Sequence, residues 1–276
     1  MDLPVRGGEV RSLGLKVPPA RMPLLRGTRP RKRWHYVGYY APELMLCVAD
    51  ARIGPVPQRW WAVATPNGAL HERTTVGRGG VSVRSGAVEV ASDGIRIQLA
   101  LEESDGVEIA SPTTAGHYIW TRKQADVPAR GFAEVDGKRY DINGIAFVDE
   151  SAGYHDRHTT WKWSAGNGLT SDGRAISWNL VTGVHDAPAD SERTVWIEGV
   201  PAEVGPVTFA PDLSQVTFAE GGSLEITEWA AREADMNMLL MRSRYRQPFG
   251  TFSGTLPGGV ELAQGYGVME EHDVRW

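Results

Sequence analysis

The chain is punctuated by residue pairs that reverse a backbone tightly. Asn67-Gly68, Asp93-Gly94, Asp136-Gly137, Asn167-Gly168, Asp172-Gly173, Gly221-Gly222 and Gly258-Gly259 separate short runs rich in β-branched and aromatic residues. Such pairs tolerate the positive φ that two-residue hairpin turns demand. Parallel strands would need long crossovers instead. An all-β fold of antiparallel hairpins, a sandwich or a barrel, follows. One series of candidate strands runs through residues 34–121 and a second through 131–269. Residues 228–244 contest this, because they are full of good helix formers. Residues 239–245 read as strand, and 230–238 stay open between helix and strand.

The organisation that suits two series is an N-terminal arm at 1–30, a first β unit at 31–125 and a second at 126–276, meeting near the polar stretch 122–129. Ile53-Gly54-Pro55-Val56 and Val204-Gly205-Pro206-Val207 repeat one pattern, once in each half.

The richest stretch is residues 153–180, GYHDRHTTWKWSAGNGLTSDGRAISWNL. It reads as a hairpin. On an extended strand, alternate side chains share a face, so Tyr154, Asp156 and His158 form a polar row while Trp161 and Trp163 face the other way. The polar row could relay a proton, with Asp156 as the acid, Tyr154 and His158 as its partners and Asn179 as an orienting group. Trp161, Trp163 and Trp178 could bind the ligand with cation-stabilising π faces if a twist or bulge brings them to the same cavity. The alternative is a half-buried sheet in which Asp156 pairs with Arg157 and Trp161, Trp163 and Trp178 fill the core.

Other constellations have equally plain alternatives. Glu270 and His272 share a face near the C-terminus and could line the same site, or merely close a chain end beside Arg275. With Asp156 and His158 they offer metal-ligand atoms, but on separate strands, and no metal is expected. Arg242, Arg244 and Arg246 alternate along one strand. Arg244 could hold a ligand head group while Phe252 packs an apolar tail, or the row is an outer face paired with Glu225, Glu228 and Glu233.

Charge and cysteine usage narrow the function. Lys and Arg total 29 against 34 Asp and Glu, a net charge of -5, which opposes general affinity for nucleic acid or anionic lipid. Arg29-Pro30-Arg31-Lys32-Arg33 is the one basic run and reads as a solvated arm. Cys47, the only cysteine, sits in an apolar run and reads as a buried hydrophobe. No stretch has the length of a membrane span or a signal peptide's apolar core, so a cytoplasmic protein without stable membrane insertion is expected. Nucleotide loops, dinucleotide fingerprints, Cys-x-x-Cys, His-Glu-x-x-His and serine elbows are all missing from the sequence. No cofactor is expected.

Five segments carry a family resemblance: RKRWHYVGYYAPELMLCVADARIGPVPQRWWAV (31–63), GYHDRHTTWKWSAGNG (153–168), ISWNLVTGVHD (176–186), SERTVWIEG (191–199) and RSRYRQPFGTFSGTLPGGVELAQGYGVMEEHDVRW (242–276). They resemble the bacterial domain-of-unknown-function 2804 family, grouped with the calycins beside lipocalin-like carotenoid hydratases and tocopherol cyclases. The resemblance implies two lipocalin-like antiparallel β-barrels packed side by side, with a ligand cleft in or between them. Gly153-Tyr154-x-Asp156 is similar to a segment of those relatives. The expected partner is an apolar small molecule, a lipid or isoprenoid, which the protein binds and hydrates, isomerises or cyclises by acid catalysis. The alternatives are a non-catalytic carrier or sensor and a carbohydrate-active β protein.

Overall fold

The computed structural model describes residues 3–77, 79–92, 94–238 and 241–276. Two large antiparallel sheets account for most of them. The first runs in the order Leu70–Val76, Val56–Ala64, Met45–Ile53, Lys32–Tyr40, Lys138–Gly153, Tyr118–Val135, Ile95–Leu101, Ala87–Ser92, Val81–Arg84. The second runs Val200–Glu203, Thr194–Ile197, Ala175–Thr182, His158–Thr170, Val260–Arg275, Met241–Leu256, Ser223–Met238, Gln215–Phe218, Val207–Phe209. Each curls until its last strand packs back on an earlier one, Val81–Arg84 on Met45–Ile53 and Val207–Phe209 on Ala175–Thr182. The result is a pair of lipocalin-like half-barrels.

Side-chain alternation explains how the halves are filled and joined. Along Lys32–Tyr40, Val37 and Tyr39 point into the first lumen, while Tyr36 and Tyr40 point towards the second sheet. Met45–Ile53 repeats the division, with Leu46 and Val48 inside and Met45, Cys47 and Ala49 outside. A strand buried on both faces reads as a continuous apolar run, which is what 44–49 is. The first lumen is packed with side chains such as Ile95, Ile97 and Leu99, and the second with Trp178, Leu180, Phe252 and Leu262. Both lumens are solid cores. Gly166 makes the second possible, since a Cβ there would lie 2.2 Å from Trp178 Cζ2.

The structure differs from two expectations and resolves one open reading. The chain changes sheet between Gly153 and His158, not near residue 125. The Asp136-Gly137 turn folds Tyr118–Val135 onto Lys138–Gly153 in register from Val135↔Lys138 to Ile119↔Gly153, so 122–129 is mid-strand. A bulge at Asp126, whose φ is 55°, interrupts it, and the Ser177 hydroxyl donates to Asp126 Oδ1 at 2.6 Å, tying the sheets together. Second, residues 230–238 are strand, because Ser223–Met238 pairs with Met241–Leu256 throughout. Third, the hairpin consists of His158–Thr170 and Ala175–Thr182 and turns at Asp172-Gly173, while Asn167-Gly168 lies inside its first strand. Tyr154 to Arg157 belong to the crossing segment, so the strand parity drawn through them does not hold. Of the other expectations, Leu239 and Leu240 of the 239–245 strand and Asp93 of one turn lie outside the described residues.

The N-terminal arm packs down through Val10, Val17 and Met22 against Tyr118, Trp120 and Tyr154. Among the described residues, no helix is long and apolar enough to cross a membrane.

Candidate functional site

A cleft of about 170 Å³ lies between the half-barrels. Its walls are the outward faces of the two curled sheets. Lys32, Trp34, Trp60, Lys123, Asp149 and Ser151 come from the first, and Trp161, Trp163, Arg232, Tyr245, Glu270 and His272 from the second. Each set occupies alternate positions of its strand, so the period of two that filled the lumens also built the cleft.

At one end, Lys123 bridges two carboxylates. Its Nζ lies 2.7 Å from Asp149 Oδ1 and 3.4 Å from Glu192 Oε1, and Thr121 donates to the same Asp149 oxygen at 3.3 Å. Lys123 is 4 % exposed and Glu192 2 %. Burial raises the Glu192 carboxyl from its ordinary range to about 7; Lys123 opposes that shift and the Asp149 charge reinforces it. Burial alone would depress Lys123, yet Asp149 and Glu192 together hold its pKa above the ordinary value. One ammonium therefore faces two carboxyls, and near neutrality Glu192 exchanges its proton readily.

Asn179 anchors this end. Trp163 Nε1 donates to Asn179 Oδ1 at 2.8 Å, and Asn179 Nδ2 donates to the Glu192 carbonyl at 2.9 Å. His185 follows on the same wall with a left-handed φ of 49°. Its Nδ1 is 2.8 Å from the Ser111 hydroxyl, and its buried Nε2 has no partner among the described residues. Burial, then the Lys123 charge, push its pKa well below the usual histidine value, so the ring is neutral.

A second polar group surrounds Glu270. Its carboxylate accepts from Trp161 Nε1 at 2.8 Å, the Tyr245 hydroxyl at 2.8 Å and Gln247 Nε2 at 3.0 Å. Burial raises its pKa, although the Trp161 and Tyr245 bonds act against it. His272 donates to or accepts from the Ser243 hydroxyl through Nε2 at 2.7 Å, and burial lowers its pKa to about 3. Arg232 crosses to the first sheet, donating to Glu72 at 2.7 Å and Thr74 at 2.9 Å. Three satisfied acceptor bonds make Glu270 a fixed element of the wall.

The residues singled out from the sequence divide cleanly. Trp161, Trp163, Glu270 and His272 line the cleft, and Asn179 holds Glu192 from behind. Tyr154 is buried under the N-terminal arm, its hydroxyl donating to the Pro23 carbonyl at 2.9 Å. Asp156 accepts from the Thr114 amide at 3.1 Å, and its pKa is lowered because the Thr114 bonds and Arg29 outweigh desolvation. His158 is exposed and bonded to Asp273 at 2.8 Å. Trp178 and Phe252 fill the second lumen, and Arg244 is exposed beside Asp235. The polar row of Tyr154, Asp156 and His158 thus stays outside the cleft.

Lys123, Asp149, Glu192 and His185, which the sequence did not single out, supply titratable groups, and so does Lys32, which is buried in the strand Lys32–Tyr40 rather than part of a solvated arm. A signal existed for three of them, since Lys32, His185 and Glu192 stand in segments that carry the family resemblance. Among the described residues, no group of three or more His, Cys, Asp and Glu side chains gathers in a form that could hold a metal ion.

Two solved structures share this architecture. An AttH-like protein of Nitrosomonas europaea aligns over 94 % of this chain and 99 % of its own, with a TM-score of 0.59 and 14 % identity. Kievitone hydratase from Nectria haematococca aligns over 87 % of this chain and 88 % of its own, with a TM-score of 0.53 and 12 % identity. At such identities the likeness establishes the fold. No curated protein matches the sequence. The sequence pattern described as Domain of unknown function (DUF2804) matches residues 69–276, and the chain belongs to that family.

Proposed function

We propose that the cleft between the half-barrels binds a largely apolar small molecule and that Glu192 protonates it, so that the protein hydrates, isomerises or cyclises its ligand without a cofactor. The observation that carries this reading is a carboxyl 2 % exposed and 3.4 Å from the Lys123 ammonium in an indole-lined cleft, where burial raises its pKa towards neutrality. A general acid works best when its pKa lies near the operating pH. When Glu192 gives up its proton, the new carboxylate forms beside the Lys123 ammonium at 3.4 Å, which stabilises it. Positive charge developing on the ligand would face the Trp163 and Trp161 rings, whose π systems favour a cation. Asn179 keeps Glu192 aimed through the 2.9 Å bond to its carbonyl. A fold shared with a hydratase is compatible with this chemistry and supports it only at the level of architecture.

Glu192 takes the role that strand parity assigned to Asp156, because Asp156 is held by Thr114 outside the cleft. The carrier reading competes, since any apolar cleft can store a ligand. The sugar-platform reading has less support, because Trp161 is covered by His272 at 4.4 Å and Trp34 by His155 at 4.9 Å. Native mass spectrometry of protein from its own host, followed by extraction, gives the ligand. Glu192→Gln should then bind that ligand with unchanged affinity and lose conversion by about 10²-fold or more. Undiminished conversion would remove Glu192 from the chemistry, and a ligand returned unaltered by the unsubstituted protein would favour the carrier.

A further inference from the structure

Lys32 lines the same cleft, four residues along its strand from Tyr36, which pairs with Asp149, and plays no part in the acid chemistry above. It is 1 % exposed, yet among the described residues it makes no ion pair. The other two buried cations of the cleft wall behave differently: Lys123 is held by Asp149 and Glu192, and Arg232 by Glu72. Lys32 Nζ has only the His155 carbonyl at a long 3.5 Å and the face of Trp276 at 4.2 Å. A buried ammonium without a carboxylate is costly, and the usual resolution is loss of its proton. Burial, followed by the Arg29 charge, brings the Lys32 pKa down to about 7 against the opposing pull of the Asp156 carboxylate, which makes no ion-pair contact with it.

Two ring atoms beside the amine lack partners among the described residues: Nδ1 of His155, which is 3 % exposed and lines the same cleft, and Nε1 of Trp276. An indole N–H can only donate, so what fits beside it is an oxygen acceptor. A buried amine with no carboxylate in contact, a hydrogen-bond donor and a neutral imidazole in an aromatic pocket form the equipment for carbonyl capture.

We propose that Lys32 is a carbonyl-capturing amine and that the cleft takes an apolar aldehyde or ketone as a Schiff base on its Nζ. The Nζ lone pair attacks the carbonyl carbon, and the C=O π pair moves to the oxygen, which takes up a proton. The carbinolamine then loses water as nitrogen gives up its remaining protons in turn, leaving a C=N bond. Addition of water reverses every step, so no oxidant or reductant is consumed. The Trp276 N–H is the donor suited to the carbonyl oxygen, and the His155 imidazole is suited to shuttling the proton.

The test uses the full chain with cinnamaldehyde, an apolar aromatic aldehyde, and cyanoborohydride to reduce any imine to a stable secondary amine. Intact mass and peptide mapping give the position and rate of labelling at pH 7. The expected result is labelling at Lys32 at least about tenfold faster than at Lys16, Lys138 and Lys162, because an ordinary lysine is almost wholly protonated there. Lys32→Arg and Lys32→Met should lose this fast phase while keeping the near-ultraviolet circular dichroism of the folded protein. Glu192→Gln should keep it, so the two assignments fail separately. Labelling spread over the surface lysines with none at Lys32 would overturn the proposal, as would an unlabelled Lys32 in the folded Glu192→Gln protein.

Discussion

At the scale of single residues, the cleft is governed by how buried charges are compensated. Lys123 joins Asp149 of its own sheet to Glu192 of the other through contacts of 2.7 and 3.4 Å. Removing one member of a buried ionic group leaves the rest uncompensated, which costs about 3–5 kcal/mol. Lys123→Met should therefore destabilise the protein by about that much, read from urea unfolding. A loss within experimental error would show that solvent reaches the pair. Glu192→Gln removes a group that is already half neutral near pH 7, so its cost in stability should be far smaller than its effect on conversion.

Elements decide whether those residues can meet. Tyr118–Val135 and Lys138–Gly153 are long enough to serve both the first lumen and the cleft, and the bulge at Asp126 resets their alternation where the second sheet approaches. On the second sheet the corresponding device is Gly166, over which the Trp178 ring lies. Trp178 donates from Nε1 to the Ser164 hydroxyl at 3.0 Å, so the indole has little freedom to retreat. Gly166→Ala should cost about 1–3 kcal/mol through overpacking, seen as a lower urea midpoint at constant slope. Pairing it with Trp178→Phe should recover part of that loss, and strictly additive losses would argue against a clash with the indole.

For the whole molecule, the number of neutral histidines sets the response to acid. His155 and His272 are lowered to about 3 and His185 well below the ordinary value, each chiefly by burial. Groups depressed in the folded state contribute stability that is complete above the unfolded pKa of 6.5 and is lost as pH falls towards 3. Glu192 works in the opposite sense. Its raised pKa stabilises the fold below its ordinary value of 4.5, and that contribution fades as pH rises through about 7. His35 is lowered as well, so four histidines outnumber the raised carboxyls of Glu192, Glu270 and Asp126, and unfolding near pH 5 should take up protons on balance. Urea titrations between pH 4 and 7 measure this directly, and a flat stability profile would contradict the buried, uncharged rings. Conversion by Glu192, in contrast, should decline as pH rises above about 7.

The sequence by itself determined the all-β class, the antiparallel pairing and the family, because tight Asx-Gly turns and two-residue alternation are local properties written into neighbouring residues. The shared faces of Trp161 with Trp163 and of Glu270 with His272 were legible too, because their parity follows from their own strands. Tyr154 and Asp156 were misplaced because parity was carried across the 154–157 crossing, where the backbone leaves the sheet and alternation has no meaning. That the lumens are solid and the cleft lies between the barrels was decided by tertiary structure alone. A strand such as Met45–Ile53, apolar on both faces, does not reveal which face meets its own sheet and which meets the other. The bridge of Lys123, Asp149 and Glu192 was equally hidden, since its members are dozens of residues apart and acquire their chemistry only when packing removes water from all three together.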